Sequence, residues 1–148
     1  AAAAGLAPER QTFEGEAAMA LEAAARRAGE AAPYPFARKG AVLDPAPMWP
    51  VLLGDLAGGA GAETVAARFH AGFALAVADL ARDLARAAGA RAIALSGGVF
   101  QNAVLTELVV GRLTGERVLI HTLAPANDGS IALGQAAVAA ARLLSGDG

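Results

Sequence analysis

One long amphipathic helix, which the sequence predicts from Glu63 to Ala88, does most to limit how this chain can fold. Large apolar side chains recur there at helical spacing, and the charged residues fall mostly on other faces. The pattern ends at Gly89, a residue typical of helix C-termini. The predicted helix has to bury its apolar stripe, which consists of Val65, Phe69, Phe73, Val77, Leu80 and Leu84.

Short apolar strands and helices alternate after this long helix. They are Arg91–Leu95 (strand), Asn102–Leu113 (helix), Arg117–Thr122 (strand) and a last helix that begins at Asp128 or Ser130 and ends near Leu144, before a frayed tail from Gly146. Such alternation predicts an α/β fold, with a small set of parallel strands joined by crossover helices and covered on both faces. Residues 91–145 form the predicted core of the functional site.

The first half of the chain is richer in loops. An apolar stripe predicts a helix from Gly15 to Gly29. Residues 30–50 contain five prolines, which indicates a loop-rich passage with one short strand at Ala41–Leu43. Residues 51–60 are predicted to form a short helix.

Composition excludes several classes of function. The 148 residues suffice for one domain, and 55% are hydrophobic. The net charge of −2 lacks the basic excess of a nucleic-acid binder, and the absence of cysteine excludes thiolate chemistry within this chain. Charged residues such as Arg68 and Asp79 interrupt the apolar stretches, so no membrane span is predicted. Because the chain begins AAAAG, with no methionine or signal-peptide pattern, we expect a fragment of a larger protein.

The stretch SGGVFQN, residues 96–102, follows the first predicted strand of the second half. Glycines let a ligand approach the backbone closely, and the following helix offers unpaired N–H groups to a phosphate. Asn102 has two possible roles, as a helix cap or as a hydrogen-bond partner of a nucleotide. From spacing alone, a plain turn at Gly97 and Gly98 and a binding loop are about equally favoured.

A second loop, PANDGS at residues 125–130, follows the other predicted strand. Asp128 is suited either to capping the last helix or to binding a hard cation such as Mg²⁺. Both loops follow parallel strands, so we expect them at the same edge of the sheet, where ligands bind in such folds. Their coincidence favours one shared site.

Four other positions have only local signals. Glu14 and Glu16 precede a predicted helix, where acidic residues are favoured, and Glu14 could otherwise reach a ribose hydroxyl. His70 lies beside the apolar stripe of the long helix and is interpreted as a satisfied core residue. His121 lies at a strand end and receives no role.

Four ordered segments carry a resemblance that covers about Gly5 to Arg142. The chain resembles the C-terminal part of the hydrogenase-maturation carbamoyltransferase (HypF) family in the segments FEGEAAMALEAAA, AARFHAGFALAVADLA, ALSGGVFQN and PANDGSIALGQAAVAAAR. The resemblance implies that residues 1–148 form the C-terminal portion of a carbamoyltransferase domain, a helix-rich lobe of the duplicated actin-like ATPase type of fold.

The same resemblance implies a chemistry and a set of partners. The family forms carbamoyl-adenylate from carbamoyl phosphate and ATP, and then transfers the carbamoyl group to the C-terminal cysteine of HypE. The thiocarbamate becomes a cyanide ligand of [NiFe]-hydrogenase. The implied partners are HypE and the remaining HypF domains, with no membrane and no nucleic acid, and the implied location is the cytoplasm.

Carried over residue by residue, the resemblance places Gly97 and Gly98 against the nucleotide and Asn102 near its adenosine. Asp128 matches an aspartate that completes a divalent metal site (Mg²⁺, Fe²⁺ or Zn²⁺). Glu14 and Gly15 match a segment that borders the nucleotide. Serine at position 130 replaces a usual glycine, and glutamate at position 16 a usual glutamine. The family's two metal-binding histidines have no counterpart here, so we expect little or no turnover by this chain alone.

Two other classes of function remain open. The chain could be a non-catalytic nucleotide-binding or docking lobe that contacts HypE and the rest of the enzyme. It could also belong to a sugar or acetate kinase of the same superfamily, which the stretch NDGSIALGQ disfavours.

Overall fold

In a computed structural model, which describes residues 1–145, five helices and two pairs of short strands form the chain. The helices are Glu16–Ala28 (α1), Met48–Ala57 (α2), Ala62–Ala87 (α3), Ala103–Arg112 (α4) and Ile131–Ser145 (α5). The strands are Ala37–Lys39 (β1), Val42–Asp44 (β2), Ile93–Leu95 (β3) and Val118–Ile120 (β4). Every predicted helix is present, and the tail predicted from Gly146 lies outside the described residues.

Helix α3 lies at the centre and takes part in all three apolar clusters of the fold. Ala74 and Ala78 pack against α4 and β3, Val65 packs against Tyr34 and α2, and Ala66 packs against α1. By length and composition α3 could cross a membrane, but 44% of its apolar window is buried inside the fold. It therefore acts as the core helix in this structure.

The buried face of α3 differs from the predicted stripe. Leu84 is 46% exposed, and Phe69, Phe73 and Val77 are only partly buried. Two of the eight buried positions carry Val65 and His70, and the other six carry residues with little or no side chain: Ala66, Ala67, Ala71, Gly72, Ala74 and Ala78. These small residues let neighbouring backbones approach closely, which a pattern of large apolar side chains cannot indicate.

Strands β3 and β4 form the predicted parallel pair, with Ile93 opposite Val118. The prediction that helices cover both faces of this pair was wrong for the described residues. Helices α3 and α4 bury Leu95 on one side, but Leu119 and Ile120 are about half exposed. No described residue of α5 is buried, and its main packing contact is with the turn Asp128–Ser130 just before it.

Strands β1 and β2 form an antiparallel hairpin where the sequence predicted one strand at Ala41–Leu43. Gly40 has a φ of 62°, which suits a two-residue hairpin turn. Arg38 of this hairpin forms an ion pair with Asp83 of α3. The proline-rich passage is therefore partly ordered by its attachment to the core helix.

The extended segment before β1 crosses α3 at Gly72. A Cβ atom at Gly72 would lie only 2.2 Å from the carbonyl oxygen of Tyr34. The backbone N–H of Tyr34 also donates to the carbonyl of Arg68, at 3.1 Å. Only glycine permits this crossing.

A polar cluster holds the same segment in place. The buried Tyr34 hydroxyl donates to Asp55 Oδ2 at 2.6 Å, and Arg68 forms an ion pair with the same oxygen. The Arg68 guanidinium lies 4.5 Å from the centre of the Tyr34 ring. Burial, together with the hydrogen bond to Asp55 and its negative charge, raises the pKa of Tyr34 to about 12.

The Gly72→Ala substitution should destabilise α3 by about 3 kcal/mol, because the new methyl group meets backbone and not a flexible side chain. Hydrogen exchange of α3 amides in the complete gene product would measure the loss. Gly111→Ala is the matched control, since nothing lies within 4 Å of a Cβ at that helical position. The control should stabilise α4 by about 1 kcal/mol, and equal effects of the two substitutions would contradict the proposed crossing.

The Tyr34 cluster should make stability depend on alkaline pH. An unfolded tyrosine loses its proton near about pH 10, whereas the folded residue does so only near a pKa of about 12. The stabilisation is therefore complete below about pH 10 and is lost as the pH rises toward about 12. Unfolding midpoints of wild type and Tyr34→Phe, compared from about pH 8 upward, should converge; parallel curves would argue against the raised pKa.

Candidate functional site

The loops that follow β3 and β4 meet at one edge of the strand pair, as predicted. The backbone N–H of Gly97 donates to the carbonyl of Ala126 at 2.8 Å. A Cβ placed on Gly98 would lie 4.0 Å from the Cβ of Asn127. The two loops thus form one continuous surface at the carboxyl ends of the strands.

Gly97 and Gly98 differ in what they offer a ligand. Gly97 has a φ of 100° and a ψ of 159°, a conformation that essentially only glycine adopts. Its N–H donates to the carbonyl of Ala126 and is therefore not available to a ligand. Gly98 has an ordinary φ, and no hydrogen bond from its N–H is found among residues 1–145.

Asn102 caps α4, which was one of its two predicted roles. Its Oδ1 accepts from the Leu105 N–H at 2.8 Å. Glu22 of α1 accepts from the Ala103 N–H at 3.0 Å. Two of the N–H groups that begin α4 are therefore occupied, and a carboxylate lies beside them. This corrects the expectation that the helix start offers unpaired N–H groups to a phosphate.

Asp128 does not take the capping role that was its alternative. Asn127 caps the turn at Asp128–Ser130 instead, because its Oδ1 accepts from the Gly129 N–H at 3.0 Å. The Asp128 side chain is exposed and forms no hydrogen bond or ion pair within the described part of the chain. Residues 1–145 contain no cluster of three His, Asp or Glu side chains that could hold a metal. Asp128 alone could contribute one carboxylate ligand.

Ser130 ties its loop together. Its hydroxyl donates to the Pro125 carbonyl at 2.7 Å and lies 3.2 Å from the Asn127 carbonyl. A glycine at position 130 would lack both contacts. The loop that carries Asp128 is therefore braced by a side chain.

Glu14 and Gly15 form the turn that leads into α1. Glu16, not Glu14, caps this turn: its Oε2 accepts from the Thr12 N–H at 2.6 Å. Gly15 has a φ of 88°, and the Glu14 side chain is exposed. No hydrogen bond or ion pair among the described residues connects Glu14 to the two loops, so the structure leaves its role a prediction.

The two histidines have different surroundings. His70 is 2% exposed and hydrogen-bonded through both ring nitrogens, which confirms its interpretation as a satisfied core residue. His121, which received no role from the sequence, has its Nε2 3.0 Å from the Ser96 hydroxyl. Ser96 directly follows β3 and His121 directly follows β4. Equivalent positions after two paired strands lie side by side, and this signal in the sequence could have predicted the contact.

Two cavities lie in this region of the fold. One of about 180 Å³ lies beneath the loops, between the side chains of Phe100, Thr106 and His121. A larger one of about 580 Å³ lies between α1, α3 and α4. Its lining is mixed in charge, with Arg26, Glu30, Glu107 and Arg112, and none of the predicted site residues lines it.

Comparison with known proteins gives a consistent family. The family model described as "Carbamoyltransferase, Kae1-like Domain, second subdomain" matches residues 1–135. The chain is 44% identical over 145 residues to the carbamoyltransferase HypF of Rhodobacter capsulatus, covering 98% of this chain and 19% of the relative. It is 39% identical to HypF of Rhizobium leguminosarum bv. viciae, covering 87% of this chain and 17% of the relative.

Solved structures agree. Full-length HypF in its phosphate- and nucleotide-bound form matches with a TM-score of 0.77 and 32% identity, over 89% of this chain and 18% of that protein. The HypF of T. kodakarensis matches with a TM-score of 0.80 and 27% identity, over 92% of this chain and 18% of that protein. The chain thus spans about a fifth of the length of the proteins it matches.

Alanine substitutions at Gly97 and Gly98 should show that position 97 needs glycine for its backbone conformation, whereas the folded loop has room for a methyl group at position 98. Gly97→Ala should destabilise the loops by about 2 kcal/mol, because its conformation is strained for any residue with a Cβ. Gly98→Ala should leave stability within about 0.5 kcal/mol, since the new methyl group makes no close contact. Hydrogen exchange of residues 96–102 and 125–130 would test this, and equal losses would contradict the assigned conformations.

Proposed function

The chain belongs to the HypF carbamoyltransferase family, and we propose that it forms the nucleotide-binding lobe of the site where the carbamoyl group is transferred. In this proposal the complete protein makes carbamoyl-adenylate from carbamoyl phosphate and ATP. The cysteine thiolate at the C-terminus of HypE attacks the carbamoyl carbon, the bond to the phosphate oxygen breaks, and AMP leaves. The product thiocarbamate is the precursor of the cyanide ligand of [NiFe]-hydrogenase.

The observation that carries the proposal is the meeting of the two loops at the strand ends. The hydrogen bond from Gly97 to Ala126 holds the open backbone of Gly98 and the uncommitted carboxylate of Asp128 on one exposed edge. In α/β folds with parallel strands, ligands bind outside the carboxyl ends of the strands. Neither the Gly98 N–H nor the Asp128 carboxylate has a partner among residues 1–145, so both are available to a ligand at this edge.

Each residue then has a distinct proposed role. Gly98 lies against the phosphate and donates its N–H, while Gly97 keeps the two loops joined. Asp128 supplies one carboxylate to a divalent metal, whose charge would offset that of the phosphate. Since residues 1–145 hold no complete metal cluster, the other ligands come from elsewhere in the complete protein. Glu14 and Gly15 border the ribose, and Asn102 faces the adenosine.

No side chain of this chain is assigned as a nucleophile or a general base. The attacking thiol belongs to the partner HypE, and this chain positions the leaving group. One lobe alone lacks the second wall that orients the acyl group and shields it from water. We therefore expect the isolated chain to bind nucleotide weakly and to show little or no turnover. The proposed location is the cytoplasm.

A second candidate function, a docking lobe, is favoured by the exposed apolar surface on β4, its following loop and α5. Its larger side chains are at least 45% exposed: Leu119, Ile120, Leu123, Ile131, Leu133, Val138, Leu143 and Leu144. Exposed apolar side chains in this number favour an interaction site. We propose that it is covered by the first half of an actin-like duplicated fold, within the remaining HypF domains.

Titration of ATP into the complete gene product, with and without Mg²⁺, would test the nucleotide site. Gly98→Ala should weaken binding about tenfold or more, because its methyl group occupies the space of the phosphate. Asp128→Asn should remove the gain in affinity that Mg²⁺ provides and leave binding of free ATP nearly unchanged. The free-ATP titration is thus an internal control.

If the chain is only a docking lobe, we expect the opposite pattern of ATP affinities. Neither substitution would then change ATP affinity, whereas Leu133→Asp on the exposed helix α5 would disrupt packing within the complete protein. Wild-type affinity in both Gly98→Ala and Asp128→Asn would rule out the proposed nucleotide site.

A further inference from the structure

His70 connects the centre of the fold to the candidate site through one chain of hydrogen bonds. Its Nδ1 lies 2.8 Å from the Ala66 carbonyl oxygen one turn earlier in α3. Its Nε2 lies 2.9 Å from Asn102 Nδ2, and Asn102 Oδ1 lies 2.8 Å from the Leu105 backbone nitrogen. The chain therefore runs from the backbone of α3 to the N-terminus of α4.

The direction of every bond in this chain is fixed by the backbone groups at its ends. A carbonyl can only accept, so His70 Nδ1 carries the proton and donates to Ala66. A backbone N–H can only donate, so the atom of Asn102 that faces Leu105 is the oxygen. The amide NH₂ of Asn102 then faces His70, whose Nε2 accepts. This assignment requires neutral His70, with a single tautomer.

The ring itself has little freedom to move. His70 is 2% exposed, and the ring of Phe69 packs against it edge to face, with centroids 5.8 Å apart. A buried polar ring without partners would be costly, so both hydrogen bonds have to persist. The acceptor presented to Asn102 is therefore held rigidly by the core.

The capping of α4 by Asn102 does not explain why Asn102 also bonds to His70. An N-cap needs only one side-chain oxygen, which serine, threonine or aspartate supplies equally well. The amide nitrogen of Asn102 adds nothing to the cap, yet the core provides a dedicated acceptor for it. Among residues 1–145, the other amide hydrogen of Asn102 has no partner.

We propose that His70 is a positioning residue for nucleotide binding, which acts by fixing the plane of the Asn102 amide and thereby the direction of its remaining hydrogen. This inference rests on the proposed function, in which Asn102 faces the adenosine. His70 does not touch the nucleotide itself. The hydrogen bond between His70 and Asn102 thus connects helix α3 to the proposed nucleotide site.

Two substitutions at position 70 each keep one of the two hydrogen bonds that His70 makes. His70→Asn retains a donor for the Ala66 carbonyl but does not reach Asn102. His70→Gln is long enough to present its oxygen to Asn102. Asn102→Ser keeps the cap on Leu105 and removes the amide. All three are made in the complete gene product and titrated with ATP and Mg²⁺, with unfolding midpoints recorded in parallel.

We expect His70→Asn and Asn102→Ser each to weaken ATP binding about five- to tenfold, the loss of one oriented hydrogen bond. His70→Gln should restore affinity to within about twofold of wild type, although its unfolding midpoint falls as much as that of His70→Asn. Should His70→Asn not fold, His70→Leu replaces it, since leucine is apolar and offers no acceptor.

The outcomes separate the inference from the proposed function. Wild-type affinity in His70→Asn, alongside a loss in Asn102→Ser, would overturn the positioning role and leave the nucleotide site in place. Equal losses in His70→Asn and His70→Gln that follow their stability would show that His70 is merely structural. Wild-type affinity in Asn102→Ser would remove Asn102 from the site, and the inference with it.

Discussion

The close approach of neighbouring backbones to helix α3 is the constraint on which the rest of the structure depends. Alanine and glycine at its buried positions let α1 and α4 pack on either side, and the extended segment at Tyr34 crosses directly over Gly72. The polar cluster of Tyr34, Asp55 and Arg68 then fixes that crossing. With α3 held in this way, α4 and β3 take the positions from which the site loops emerge.

Much of this architecture could be predicted from the sequence, because helical periodicity and glycine stops are local signals. All five helices and the parallel pairing of β3 with β4 followed from them. The packing face of α3 did not, since hydropathy patterns give weight to Phe69 and Phe73 and little to alanine. The open face of the strand pair was also missed: an apolar helix such as α5 suggests burial, but its sequence does not say whether its cover lies within the described chain.

For the candidate site, the sequence predicted where the loops lie but not how their hydrogen-bond donors are used. Two loops that follow parallel strands must lie at one edge, and they do. What the sequence did not indicate was how their donors are used, because the partners are distant: Gly97 is bonded to Ala126, and Glu22 reaches Ala103 across 81 positions. The sequence also left open whether Asp128 caps the last helix. The structure shows that Asn127 takes the capping position, so the Asp128 carboxylate is not used as a cap.

Two hydrogen bonds, Gly97–Ala126 and Ser96–His121, join the segments that follow β3 and β4 in the described part of the chain. An amide–carbonyl hydrogen bond contributes only about 1 kcal/mol net in water, so thermal motion can separate the two loops without disturbing either strand. Local opening at this edge of the sheet therefore costs far less free energy than unfolding of the whole fold.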